Sequence, residues 1–122
     1  MNASSLVVSQ SEGVTFATIR TASLTEGAMI DALTKELYSL VDEYDYKKLV
    51  VDFRHVGFLS SRMISTLTTL HKKIENLKGK LVLCGMKPEL KKVFQITKLD
   101  KILTFADTEA DAVKQFKRFG LW

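Results

Sequence analysis

A short, uninterrupted run of apolar residues places the strongest constraint on how this chain folds. In KKLVVDF (Lys47–Phe53), Leu49, Val50 and Val51 follow one another without a polar residue. Because side chains alternate between the two faces of a strand, such a run predicts a strand that is buried on both faces, as in the centre of a parallel sheet. A second run, KLVLCG (Lys80–Gly85), predicts another short apolar strand.

A helical pattern separates these two strands. From Ser61 to Leu77, apolar residues recur at helical spacing, and Gly79 is a suitable residue for the end of the helix. A strand, a helix and a second parallel strand form a right-handed crossover in nearly all proteins. If the two strands are neighbours, the loops that follow them, residues 54–62 and 85–88, lie side by side at the sheet edge where such folds bind ligands.

The remaining pattern completes an alternation of strands and helices. SLVVSQ and VTFATIR, separated by the turn signal SEG, predict a hairpin at the sheet edge. Ser23 and Glu26 have the spacing of a capping box and begin a helical pattern that runs to Tyr44. The other predicted elements are a helix from Pro88 to about Ile96, a strand at Ile102–Ala106, and a last helix after Thr108 with Ala112, Val113, Phe116 and Phe119 on its apolar side.

The order β-β-α-β-α-β-α-β-α predicts the fold class. It indicates an α/β protein with a mixed β-sheet of four to five strands, one antiparallel edge, and about four helices. A length of 122 residues fits a single domain over residues 1–122.

Composition argues against several classes of function. Cys84 is the only cysteine, so no internal disulfide can form, and its apolar run predicts a buried, inert thiol. One cysteine and two histidines give no zinc spacing, so we expect neither a metal nor a cofactor. The chain lacks a signal-peptide pattern and a window of ~20 apolar residues, so we expect a cytoplasmic protein without a membrane span.

Charge is distributed unevenly along the chain. Residues 1–61 carry 5 lysines and arginines and 8 carboxylates, whereas residues 62–122 carry 13 and 6. The excess is mostly lysine spread along helices, without the interleaved arginines and aromatics that favour nucleic-acid binding. We therefore expect no nucleic-acid partner, and a basic face for a negatively charged protein is the better supported use.

Two adjacent hydroxyls stand where the Val50 strand gives way to the next helix. Ser60 and Ser61 lie at the predicted helix start, where unpaired N–H groups favour a capping serine and would equally accept a phosphate. Asp52, at the end of the strand, has two interpretations. It is either a structural carboxylate, paired with a backbone N–H or with Arg54, or a group beside the serine hydroxyls.

Support for catalysis is weaker. Ser61, His55 and Asp52 could form a triad, but no G-x-S-x-G nucleophile elbow accompanies them. His71 falls on or beside the apolar helix stripe and is interpreted as packing. Nucleotide binding has only the backbone donors of the strand-end loops in its favour, since no P-loop or G-x-G-x-x-G is present. We expect a protein that is not an enzyme.

Several segments together match a known pattern. LVVDFRHVGFLSSRMISTL and GKLVLCGMKPELKKVFQITKLDKILTFADTEADAV, within about residues 5–118, resemble the STAS domain of bacterial anti-sigma factor antagonists. The specific parts are the strand-final Asp52, the Phe58–Leu59 pair, and the glycine-proline turn, helix and ending in VLCGMKPELKKVFQITKLDKILTF. The resemblance implies a sheet of four or five strands with helices mostly on one side.

The resemblance also implies partner switching. In that family the unphosphorylated domain binds an anti-sigma factor, a serine kinase of the histidine-kinase-like ATPase type. The kinase phosphorylates a serine at the start of the second helix, which ends the binding, and a serine phosphatase resets the domain. The family core Asp-Ser-Ser/Thr-Gly-Leu places the acceptor at Ser61, with Ser60 as the alternative. The implied partner-binding residues are Asp52, Phe58, Leu59, Ser60, Ser61, Arg62, Met63, Gly85, Met86 and Lys87.

Three positions beside the acceptor depart from the family core. Ser60 takes the place of the aspartate, and Arg62 and Met63 take the places of the small residue and the glycine. The departures leave open a divergent kinase or a scaffold that is not phosphorylated. A STAS-like domain that binds a small molecule or nucleotide at the strand-end loops is a further alternative, and the oligomeric state also stays open.

Overall fold

The computed structural model describes residues 5–24, 27–118 and 120. Its strands are β1 (Leu6–Ser11), β2 (Val14–Ile19), β3 (Ser23–Leu24), β4 (Lys48–Asp52), β5 (Phe58–Leu59), β6 (Lys80–Cys84) and β7 (Thr104–Ala106). Its helices are α1 (Gly27–Asp42), α2 (Ser61–Asn76), α3 (Pro88–Ile96) and α4 (Glu109–Arg118), and a short 3₁₀ helix spans Leu99–Lys101. The predicted α/β class is confirmed.

The five longer strands of the described chain form one mixed sheet in the order β1-β2-β4-β6-β7. β1 pairs antiparallel with β2, and every other neighbouring pair in this sheet is parallel. β4 therefore lies in the middle, and its residues Leu49, Val50 and Val51 are completely buried. The prediction of a central parallel strand is confirmed.

Each face of the sheet has its own layer of core residues. On one face, Leu49 and Val51 pack with residues of α1, α2 and α3, such as Leu33, Leu67 and Phe94. On the other face the layer consists of Val14, Phe16, Val50, Val82, Cys84, Ala112 and Phe116, the last two from α4. Three α-helices thus cover one face and α4 covers the other, which agrees with the expected arrangement.

Polar side-chain contacts join α1 to α2 along their length. Arg62 pairs with Asp31, the Thr34 and Thr66 hydroxyls are 2.9 Å apart, and Lys73 Nζ is 3.0 Å from an Asp42 oxygen. The partners are 31, 32 and 31 residues apart, so the two helices run parallel and side by side. Both helices connect parallel strands in the same direction, and this connectivity requires the same orientation.

The first helix begins later than the capping pattern predicts. Ser23 is not an N-cap, because it lies in β3, and α1 begins at Gly27. β3 forms a separate two-stranded parallel sheet with β5, and tertiary pairing overrides the local capping signal. Glu26, the other member of the predicted box, lies outside the described residues, as does Phe119 of the last helix.

Gly79 ends the predicted helix for a different reason from the one expected. The left-handed residue beyond α2 is Lys78, with φ of 61°. A Cβ on Gly79 would lie 2.3 Å from the carbonyl oxygen of Lys47, the residue before β4. Only glycine allows the backbone entering β6 to approach the backbone entering β4 this closely.

We expect Gly79→Ala to destabilise the domain by roughly 1–3 kcal/mol, because the new methyl group must displace backbone rather than a flexible side chain. Urea unfolding followed by circular dichroism measures the change. Gly57→Ala is the matched control, since its Cβ would lie 3.6 Å from the nearest atom, an ordinary contact. Equal stability of the two variants would contradict this explanation of Gly79.

Candidate functional site

A buried carboxylate fixes the turn that follows β4. Asp52 Oδ1 accepts a hydrogen bond from the Arg54 N–H at 3.0 Å, and its Oδ2 lies 3.0 Å from Arg54 Nε. The Asp52 side chain is only 4% exposed, and these partners offset the cost of burying a polar group. The structural interpretation of Asp52 is therefore the one that the geometry supports.

The two strand-end loops are neighbours, as the sequence predicts. Lys87, in the loop after β6, donates from Nζ to the carbonyls of Arg54 at 3.2 Å and of Val56 at 3.1 Å. Since this ammonium group is held by two backbone carbonyls of the first loop, Lys87 fixes the relative position of the loops.

The short β3–β5 pair sets the path of the chain into α2. The N–H groups of Gly57 and Phe58 donate to the Ala22 carbonyl at 2.6 and 3.1 Å, and the Ser60 N–H donates to the Leu24 carbonyl at 3.1 Å. With the backbone fixed in this way, Phe58 projects into solvent with 68% of its surface exposed. Strands of only two residues carry almost no sequence signal, so the sequence pattern did not predict the β3–β5 pair.

The two serines at the start of α2 have different environments. Ser60 is the N-cap, with φ of −79° and ψ of 160°, and its Oγ accepts from the Met63 N–H at 3.4 Å. Ser61 is the first residue of the helix and is exposed. The capping function thus belongs to Ser60, and the accessible hydroxyl belongs to Ser61.

The predicted partner-binding residues separate by exposure. Phe58, Ser61 and Arg62 are exposed, and Leu59, Ser60, Gly85 and Lys87 are partly buried. Asp52, Met63 and Met86 are buried, so a partner that docks on this conformation does not reach their side chains. The name switch surface is used below for Phe58, Ser60, Ser61 and Arg62, which lie together at the β5–α2 junction.

A cavity of about 410 Å³ lies on the other side of the same sheet edge, at the start of α4. It is lined by Asp52, Arg54, Cys84, Gly85 and residues 107–110. Burial raises the pKa of Glu109, and a hydrogen bond with Asp52 and the charge of Asp52 raise it further, whereas Arg54 lowers it. The wall of this cavity therefore carries both carboxyl groups and the guanidinium of Arg54.

Cys84 lies at the inner end of this cavity and is completely buried. Burial raises the pKa of its thiol to about 12, and the negative charge of Asp52 is the next cause. Since the thiolate is the reactive form of cysteine, this side chain is inert at neutral pH, as predicted.

The two histidines occupy contrasting positions. His55 is exposed. Asp52, its partner in the hypothetical triad, has both carboxylate oxygens engaged by Arg54. His71 is buried on α2, as predicted, with Nε2 3.3 Å from Glu75 Oε1. Burial has the largest effect on the pKa of His71 and lowers it. The charge of Glu75 raises this pKa, and the charge of Lys80 lowers it.

Comparisons with known proteins agree on one family and one fold. The family model for the STAS domain matches residues 6–112. BtrV of Bordetella bronchiseptica, a candidate anti-sigma factor antagonist, is 29% identical over 90 residues, which cover 74% of this chain and 77% of BtrV. None of the helices among the described residues combines the length and the apolar character that crossing a bilayer requires.

Two solved structures illustrate the likeness in fold. An anti-sigma-factor antagonist (STAS) domain protein from Planctomyces limnophilus is 21% identical, with a TM-score of 0.79 over 93% of this chain and 98% of that one. The phosphorylated form of the Bacillus cell fate determinant SpoIIAA is 14% identical, with a TM-score of 0.68 over 90% of this chain and 97% of that one.

We expect Ser60→Ala to lower the free energy of unfolding by about 1 kcal/mol, because it removes the side-chain acceptor at the start of α2. Ser61→Ala is the control at the next position, and its effect should stay within about 0.5 kcal/mol, as for most exposed sites. Urea denaturation of both variants tests the division of functions. A larger loss for Ser61→Ala would mean that the capping hydroxyl has been misassigned.

The free energy of unfolding should fall with decreasing pH because of His71. The unfolded imidazole binds a proton near pH 6.5, and the folded one binds it only at lower pH, so stability decreases from about pH 6.5 down to the folded pKa and then levels off. His71→Leu should remove this decrease, and His55→Gln, at an exposed position, should retain it. Urea unfolding at a series of pH values provides the measurement, and an unchanged slope in His71→Leu would rule out His71 as the cause.

Proposed function

Because this chain belongs to the STAS domain family, we propose that it is an anti-sigma factor antagonist that binds a kinase-type anti-sigma factor through the switch surface and is released when Ser61 is phosphorylated. Anti-sigma factor antagonists of this family are regulatory binding proteins and not enzymes. The partner would be a serine kinase of the histidine-kinase-like ATPase type, with a serine phosphatase to reverse the modification in the cytoplasm.

The observation that carries the proposal is the exposed hydroxyl of Ser61 on the first residue of a properly capped helix. A kinase can reach this oxygen without unfolding the domain. Once formed, the phosphate lies at the positive end of the helix dipole, so the domain itself tolerates the modification. The added charge of about −1.5 to −2 would instead act on whatever partner is docked there.

Phe58 supplies the second half of the binding surface. An aromatic ring with 68% of its area in water costs free energy when left exposed, and aromatic residues are enriched among the residues that dominate binding energy. Phe58 lies two residues before Ser60 and is held outward by the β3–β5 pair. A partner that buries this ring would have Ser61 at the edge of the contact, where a phosphate repels it.

Ser60 is the weaker candidate for the acceptor. Its oxygen already caps α2, and its side chain is partly buried, so modification at this position would compete with the cap. The departure at position 63 is accommodated internally, because Met63 fills the core beneath the first turn. The departure at Arg62 is exposed and therefore bears on recognition by the kinase.

The class of partner in this proposal is taken from the relatives. BtrV is named as a candidate anti-sigma factor antagonist, and SpoIIAA has been solved in a phosphorylated and an unphosphorylated form. The proposal extends these two properties, binding to an anti-sigma factor and a phosphorylated state, to this chain and assigns the second one to Ser61.

We expect Ser61→Glu to weaken binding to the anti-sigma factor at least about tenfold, or about 1.4 kcal/mol, and Ser61→Ala to retain it. Tagged chain expressed in its own cell would be purified, the co-purified protein identified by mass spectrometry, and its affinity for each variant measured by calorimetry. Phosphorylation at Ser61 would appear in fragment spectra of the same material. Equal affinity of the Ser61→Glu and Ser61→Ala variants would refute the switch.

Phe58→Ala should also weaken binding, by more than about 1 kcal/mol, without lowering stability, because the ring is exposed in the free domain. Ile96→Ala is the matched control. Ile96 is 80% exposed, but it is the last residue of α3 and so belongs to a different helix from the switch surface. If both substitutions reduced affinity alike, the binding surface would be larger than, or different from, the one proposed.

A further inference from the structure

Arg62 extends from α2 onto the first turn of α1. One terminal nitrogen of its guanidinium pairs with Asp31. The other lies 3.4 Å from the position that a Cβ on Gly27, the first residue of α1, would occupy. The chain has an arginine here where the family core has a small residue.

The resting position of Arg62 is only weakly favourable. The side chains of Arg62 and Asp31 are 57% and 61% exposed, and exposed ion pairs contribute about 0–1 kcal/mol. The guanidinium also lies near the N-termini of α1 and α2, whose dipoles repel a cation. The described first turns of α1 and α2 contain no carboxylate, so the offset to this repulsion comes from Asp31, the fifth residue of α1.

A phosphate on Ser61 would be a stronger partner than Asp31. Ser61 directly precedes Arg62 in α2, and because consecutive helix residues do not face each other, the arginine side chain must turn to reach the phosphate. A phosphate offers up to two negative charges and three acceptor oxygens, which suit the two parallel N–H groups of a guanidinium. The side chain of Arg62 is long and exposed, so it can turn towards the new anion without any change in the buried part of α2.

We propose that Arg62 is the receptor for the phosphate on Ser61 and that it leaves Asp31 when the phosphate forms. This inference rests on the proposed function, since it assumes that Ser61 is the modified residue. The exchange changes two positions at once: the phosphate appears on α2, and the carboxylate of Asp31 becomes uncompensated on α1. Asp31 thereby becomes part of the surface that reports phosphorylation, although it is 30 residues away in sequence.

The chain contains a matched control for this exchange. Lys73 and Asp42 form a second exposed ion pair between the same two helices, 3.0 Å long and with the same sequence separation. Lys73 is 12 residues beyond Ser61, which corresponds to about 18 Å along the helix axis. Because salt screens charges over about 8–10 Å, a phosphate on Ser61 should leave the Lys73–Asp42 pair unaffected.

The test uses protein in which phosphoserine is placed at position 61 during translation, so that no kinase is required. Phosphorus NMR measures the second pKa of the phosphate, which is about 6 without interactions. With Arg62 bound we expect a lower value, and Arg62→Gln should raise it by about half a unit or more, a threefold change in the protonation equilibrium. Asp31→Asn should lower the phosphate pKa more when Arg62 is present than in the Arg62→Gln background, because it also frees Arg62 for the phosphate, and Lys73→Gln should leave the phosphate pKa unchanged.

The proposal is overturned if Arg62→Gln and Lys73→Gln have the same effect on the phosphate pKa, or if Asp31→Asn acts equally with and without Arg62. Should the phosphoserine protein fail to fold, Ser61→Glu replaces it, with the carboxyl pKa of the new side chain followed by carbon NMR and the same variants. Failure here leaves the affinity difference between Ser61→Glu and Ser61→Ala untouched. Conversely, the pKa shift can be present in a protein whose partner affinity does not depend on residue 61. Failure of the Arg62 proposal and failure of the proposed function are therefore distinguishable.

Discussion

The burial of β4 on both faces is the constraint on which the rest of the structure depends. Leu49 and Val51 require helices on one face, and Val50 requires a helix on the other. β4 lies between two parallel neighbours, β2 and β6, and the helices that connect parallel strands provide the cover on its faces. The loops after β4 and β6 then emerge at the same edge, and Lys87 joins them there. The switch surface is held in place by an interior that has no direct contact with solvent.

Sequence periodicity predicted the architecture well because apolar burial determines it. The runs around Val50 and Val82, the helix from Ser61 and the helix from Pro88 were all placed within about two residues of the observed elements. The sequence misled at Ser23, where a good local cap was overridden by pairing with Phe58, 35 residues away. Gly79 shows a related limit, because the Lys47 backbone that requires a glycine is distant in sequence.

The candidate site was predictable in position and only partly in detail. A helix N-terminus after a buried strand placed two serines at the edge of the sheet, but no local rule decided which of them caps the helix. The structure assigns the cap to Ser60, through its contact with the Met63 N–H. The position of Arg54 was needed to decide between the two interpretations of Asp52. No sequence pattern indicated Asp31, because its contact with Arg62 arises from the packing of α1 beside α2.

The parallel packing of α1 and α2 explains how a change at one residue could concern two helices. Their interface has a fixed centre, formed by apolar side chains and the Thr34–Thr66 hydrogen bond, and an exchangeable ion pair at each end. A packed centre resists displacement, whereas exposed pairs can exchange partners at little cost. Phosphorylation would therefore redistribute charge over the N-terminal ends of both helices, where Arg62 and Asp31 lie, without moving either helix. A partner that contacts both α1 and α2 would encounter a different pattern of charge on an unchanged backbone, and recognition of that pattern does not require the domain to change shape.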